Sequence, residues 1–182
     1  MNNFKDYFFN KYMVDAFSTC TPESDNIKYL RKGLKGEVGE LYGALKKVYR
    51  ESDCNSSLSQ KIHDLIVGEL GDVMWYIANI IRKTARVDII NSYYIPDTPI
   101  SKYKACSSGD LADYLETIAD KIQKAAIEYD EFPRLNTHEI LDGIIIFCAN
   151  IEVSIIDVMK ANTKKLFKRK ENGTLCGSGD NR

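Results

Sequence analysis

The stretch Gln60–Arg86, QKIHDLIVGELGDVMWYIANIIRKTAR, decides the fold. Ile62, Leu65, Ile66, Val73, Ile77 and Ile80 recur at three- and four-residue intervals, the period of an α-helix that buries one face. Ser59 stands where an N-cap belongs. At about 100° per residue, Glu69 falls in the middle of the arc formed by Ile62, Ile66, Val73, Tyr76 and Ile77, with Asp72 at its edge. A carboxylate there breaks the pattern of an apolar face. Burying it ionised costs several kcal/mol without a compensating cation.

Working outward, the same period runs from about Asn26 to Glu51, with Leu34, Val38, Leu41, Leu45 and Val48 in line, and the polar run SDCNSSLS ends it. A third helix is predicted from about Asp110 to Tyr129, with Leu111, Leu115, Ile118, Ile122 and Ala125 in phase, closed by Pro133. A fourth is predicted from near Thr137 to about Lys170, apolar nearly all round between Leu141 and Ala149. Val87–Gly109 reads as a long connection. The first 20 residues add an aromatic helix, with Phe4, Phe8, Tyr12 and Ala16 roughly aligned, which should pack across the others. Hardly any segment alternates with period two, so the expected fold is all-α: a four-helix-bundle-like arrangement in one domain, 1–182, with an aromatic N-terminal helix and a basic C-terminal tail.

The 182 residues are 44% hydrophobic and 28% charged, a soluble globular composition. Lys plus Arg number 25 against 26 Asp plus Glu, so no global positive field points to nucleic acid or anionic lipid. The longest apolar runs, Val73–Ala78 and Ile144–Ala149, are six residues each, far below the roughly 20 of a membrane-spanning helix. The N-terminus lacks the basic and apolar regions of a secretory signal, which makes a cytoplasmic location the expectation. Five cysteines without C-x-x-C spacing suit reduced thiols.

Glu37 and Glu40 share one face of the first long helix, and Glu69 and Asp72 one face of the second. Converging four carboxylates calls for a hard divalent metal, Mg²⁺ or Mn²⁺, which takes oxygen ligands together with substrate phosphates. The competing reading is salt bridges to Lys35, Lys46 or Lys47 on a solvated face. Gly36, Gly39, Gly43, Gly68 and Gly71 favour the metal, since a helical glycine is destabilising by about 1 kcal/mol and is tolerated where a helix or ligand comes close. On the fourth helix the apolar stripe Ile151, Ile155, Val158 continues into Asn162, Leu166 and Arg169. From Lys160 to Arg182 there are seven basic residues against two acidic ones, a composition suited to phosphate. Asn162 and Arg169 are the candidate anion ligands, on a tail expected to be separable from the folded bundle. Asp113, Glu116 and Asp120 lie opposite an apolar stripe and read as a solvated face. Glu139 reads as a capping-box acid with Asn136, and Asp142 as a first-turn acid. His63 and His138 have no Glu-x-x-His partner, which weakens a ferritin-like di-iron alternative.

Glu37-Val-Gly-Glu40, then 28 residues, then Glu69-Leu-Gly-Asp72 followed by Val-Met-Trp-Tyr is similar to the signature of the MazG-type all-α nucleoside triphosphate pyrophosphohydrolases. YLRKGLKGEVGELYGALKKVYRE resembles the first motif helix of short, phage-type MazG-like proteins, and the run from Asn162 to Arg169 with the glycine-rich end resembles their C-terminal tail. One departure is Gly36, where the family pattern has a glutamate, leaving four acids rather than five. Another is an apparent insertion over about 87–148. The resemblance implies Mg²⁺-dependent hydrolysis of a nucleoside triphosphate between its α and β phosphates, in a homodimer or homotetramer. It implies metal at Glu37, Glu40, Glu69 and Asp72, one glutamate also orienting the attacking water, and phosphate at Lys47, Asn162, Lys165, Arg169 and Arg182. A catalytically inactive helical interaction module and a phosphoribosyl-nucleotide pyrophosphohydrolase are the alternatives.

Overall fold

The computed structural model describes residues 7–52, 59–84, 113, 116–121, 123–124 and 137–175. Among these, every regular element is helical. A π-helical turn, Phe8–Tyr12, runs into α1, Met13–Ser18; then come α2, Ile27–Ser52, and α3, Gln60–Thr84. α4 spans Thr137–Asn150 and α5 spans Ile155–Glu171. Residues 116–121, inside the predicted third helix, are helical too. The rest of that helix, the 87–109 connection, Phe4, Pro133, Asn136 and the side chains of His138, Glu139 and Asp142 lie outside the described residues. So does the tail beyond Leu175, including Arg182.

α2 and α3 start and stop within about two residues of the positions that periodicity assigns, because their apolar stripes are long and cleanly interrupted by polar residues. The Ser59 hydroxyl receives the Ile62 N–H at 3.4 Å, a loose N-cap on α3. The two long helices run antiparallel. Asp25, ahead of α2, is paired with Arg82 and Lys83 at the end of α3, while Lys47 and Arg50 near the other end of α2 share a groove with Lys61 and Leu65. α3 is central, packing against α2, α1 and α5. Leu34, Val38 and Leu41 are buried with Ile66, Leu70, Val73 and Ile77, and α4 and α5 complete this core with Ile144, Phe147, Val158 and Met159.

The fourth helix is not continuous. It breaks at 151–154, where Glu152 takes φ 59 and the Val153 N–H reaches the Cys148 carbonyl at 3.0 Å, a Schellman-type ending. Ser154 then caps α5, its hydroxyl accepting from the Asp157 N–H at 3.0 Å. The Ser-x-x-Asp capping signal carries this corner, and the apolar stripe through Ile151 and Ile155 conceals it.

The aromatic N-terminal segment does pack across the bundle. Phe8, Tyr12 and Ala16 are buried, and the Trp75 indole N–H lies 2.9 Å from Thr19 Oγ1 and 3.1 Å from the Ala16 carbonyl. These aromatics are therefore covered within one chain. Asp113, Glu116 and Asp120 are exposed, as a solvated face requires, yet they also receive hydroxyls from α2: Tyr42 to Asp120, and Tyr49 to Asp113 and Glu116. No helix of the described residues is long and apolar enough to cross a membrane.

Candidate functional site

The antiparallel pairing of α2 and α3 brings Glu37, Glu40 and Glu69 together, with one carboxylate oxygen from each within 4.8 Å of the others. Glu37 and Glu40 are one helical turn apart on α2, so both face α3. Glu69 is only 8% exposed, as expected of its place inside the apolar arc. Glu37 is half-buried, and burial followed by the charges of Asp72, Glu40 and Glu69 raises its carboxyl to about 8, with Lys165 opposing. Carboxylate oxygens converging at partial burial, one of them driven toward protonation by burial and by its acidic neighbours, are a donor set that fits a hard divalent cation.

Asp72 borders this trio and is held from α5. The Asn162 amide N–H donates to its Oδ1 at 2.8 Å, and Lys165 is ion-paired with its Oδ2. Asn162 is 3% exposed and its carbonyl oxygen accepts from the Tyr12 hydroxyl at 2.9 Å, with the Gly71 carbonyl 3.3 Å from the same hydroxyl. Burial pushes the Tyr12 phenol well above its usual range, which keeps it a neutral donor. The amide that breaks the α5 stripe thus links the N-terminal π-helical turn, α3 and the acid site.

Gly71 makes this approach possible. A Cβ there would stand 2.8 Å from Asn162 Cβ. Gly33 is equally constrained, for its Cβ would lie 2.1 Å from the Tyr76 ring. By contrast, a Cβ at Gly36, Gly39, Gly43 or Gly68 would meet nothing within 4 Å among the described residues, so close approach there explains one of the five glycines singled out from sequence and one that was passed over.

The proposed phosphate ligands are dispersed. Asn162 and Lys165 face the acids, whereas Arg169, half-buried, lies one turn beyond Lys165 on the same side of α5. Lys47 is exposed, about two turns along α2 from Glu40, and lines a groove of about 590 Å³ with Arg50, Lys61, Ile62, Asp64 and Leu65. The basic segment is not a detachable tail. Val158, Met159 and Asn162 of α5 are buried, so removing residues after Lys160 would strip Asn162 from the core.

Sequence reasoning missed Tyr12 and Tyr76. Tyr12 was placed correctly in an apolar stripe, but its hydroxyl was the available clue, because a buried tyrosine needs a polar partner. For Tyr76 the clue was Gly33, a helix-interior glycine in phase with Glu37.

No family model matches the chain. It is 39% identical over 56 residues to the Gene 37 protein of Mycobacterium phage L5, an alignment that covers 31% of this chain and 47% of that protein. The chain therefore spans about half the length of this curated relative. No solved structure matches.

Proposed function

We propose that the chain is a MazG-like pyrophosphohydrolase that splits a nucleoside triphosphate into the monophosphate and pyrophosphate with Mg²⁺, Mn²⁺ being able to replace it. The observation that carries this reading is the convergence of Glu37, Glu40 and Glu69 within 4.8 Å across two helices, with Lys165 and Asn162 brought to its edge at Asp72. The three glutamates and Asp72 would hold the cation. Bound there, it would offset charge on the phosphates and on the leaving pyrophosphate. A glutamate of the trio accepts the proton of a water that attacks the α-phosphorus as the bond to the bridging oxygen breaks. Lys165 and Asn162 offer donors to the phosphate oxygens on the α5 side, Arg169 extends that side, and Lys47 stands beyond Glu40.

A panel of canonical and modified NTPs and dNTPs, incubated with Mg²⁺ and scored for pyrophosphate against orthophosphate, tests the proposal. Pyrophosphate with the matching monophosphate is expected from a subset of the panel. Orthophosphate alone, or no product from any member, overturns it. The Lys165–Asp72 pair favours a second reading, a helical interaction module whose acids are neutralised from within. Failure of the wild type to bind Mg²⁺ or Mn²⁺ would establish that reading instead. Assembly into a dimer or tetramer is part of the proposal, and light scattering showing a fully active monomer would remove it.

A further inference from the structure

The seam between α2 and α3 continues past the acids. On α2, Tyr29, Gly33 and Glu37 follow one another at four-residue spacing, and on α3 Asp72 and Tyr76 do the same, so an aromatic pair adjoins the carboxylates along one groove. The Tyr29 and Tyr76 ring centroids are 6.4 Å apart with the rings tilted by 34°. Tyr76 is fixed from two sides. Trp75 meets it edge-on at 4.9 Å, and the missing side chain of Gly33 leaves room for its ring against α2. Tyr29 is 47% exposed, a large aromatic surface left open beside a braced one. Eight residues of helix separate Tyr29 from Glu37, about 12 Å along the axis, the scale of a nucleoside with its α-phosphate.

We infer that Tyr29 and Tyr76 form the nucleobase platform of the acid site, with the base stacked on the open Tyr29 ring and the phosphates directed toward Glu37 and Glu69. The inference rests on the pyrophosphohydrolase reading for the identity of the ligand. An aromatic face accepts any base by stacking, so the platform gives affinity for nucleotides as a class.

Calorimetric titration of the full chain with each deoxynucleoside monophosphate and with deoxyribose 5-phosphate, Mg²⁺ present, tests it. Tyr29→Ala should weaken the nucleotides roughly tenfold to a hundredfold and leave deoxyribose 5-phosphate and Mg²⁺ affinity unchanged. Tyr29→Trp should restore nucleotide affinity and show indole quenching on binding. Gly33→Ala, which displaces Tyr76, should weaken the nucleotides with Tyr29 still in place. Equal nucleotide affinity in wild type and Tyr29→Ala, or no preference for nucleotides over deoxyribose 5-phosphate, overturns the platform. Tyr29-dependent nucleotide binding without pyrophosphate release would sustain it while defeating the hydrolase, and pyrophosphate release with an unchanged KM in Tyr29→Ala would do the reverse.

Discussion

Lys165 is ion-paired with Asp72, 93 residues away in sequence, and the pair is only partly open to solvent. It is a positive charge of α5 held against the acid cluster, and it also bears on Glu37. Lys165→Met should lower the stability of the metal-free protein by about 1–2 kcal/mol, because the Asn162 amide alone would remain on Asp72. Mg²⁺ should bind more tightly once a competing cation is gone, and triphosphate more weakly. Denaturant unfolding and parallel metal and nucleotide titrations check this, and equal metal affinity in the two proteins would show that Lys165 does not act on the site.

Glu69→Gln removes the most buried carboxylate of the trio. Turnover and Mg²⁺ binding should be lost, while the metal-free protein should fold as well as the wild type or better, since an amide needs no counter-charge. Circular dichroism melts with and without Mg²⁺ give the readout. Retained Mg²⁺-dependent activity would refute the metal assignment.

Gly71 and Gly39 make a matched pair for testing glycine. Gly71→Ala drives a methyl into Asn162 and should destabilise by about 1–3 kcal/mol. Gly39→Ala meets open space among the described residues and should stabilise by about 0.5–1 kcal/mol, the helix-interior difference between the two residues. Thermal melts of both variants decide. Destabilisation by Gly39→Ala would mean that something beyond the described residues packs on that face.

The Glu37 carboxyl stands at about 8 in the folded protein against an ordinary 4.5. Folding therefore favours its protonated form. The stability this supplies is complete below about pH 4.5, falls as the pH rises, and is gone above about pH 8. Metal-free wild type should lose stability across that window relative to Glu37→Gln, and Mg²⁺ should flatten the difference. Unfolding midpoints at several pH values measure it, and parallel curves for the two proteins would contradict it.

The helical class and the acid trio were legible in sequence because both depend on local period. Glu37 and Glu40 fix their own relation within a single turn, and the misfit of Glu69 is visible on its own helical wheel. The corner at Glu152 was concealed, since a left-handed glutamate carries none of the signal a glycine would. The roles of Tyr12 and Gly33 were illegible for another reason. Each is defined by a contact with a distant helix, Tyr12 with Asn162 and Gly33 with Tyr76, and periodicity assigns faces without naming the neighbours that meet them.

Tyr12 and Asn162 are separated by 150 positions, and this has a consequence for biosynthesis. On the ribosome the three glutamates emerge well before Asn162 and Lys165. Until α5 emerges, Asp72 has neither its amide nor its ammonium partner, and Tyr12 lacks its acceptor on Asn162. A nascent chain halted within α4 carries every acid of the cluster and cannot yet assemble the complete centre. Completion of the acid centre is thereby deferred until α5 has been translated.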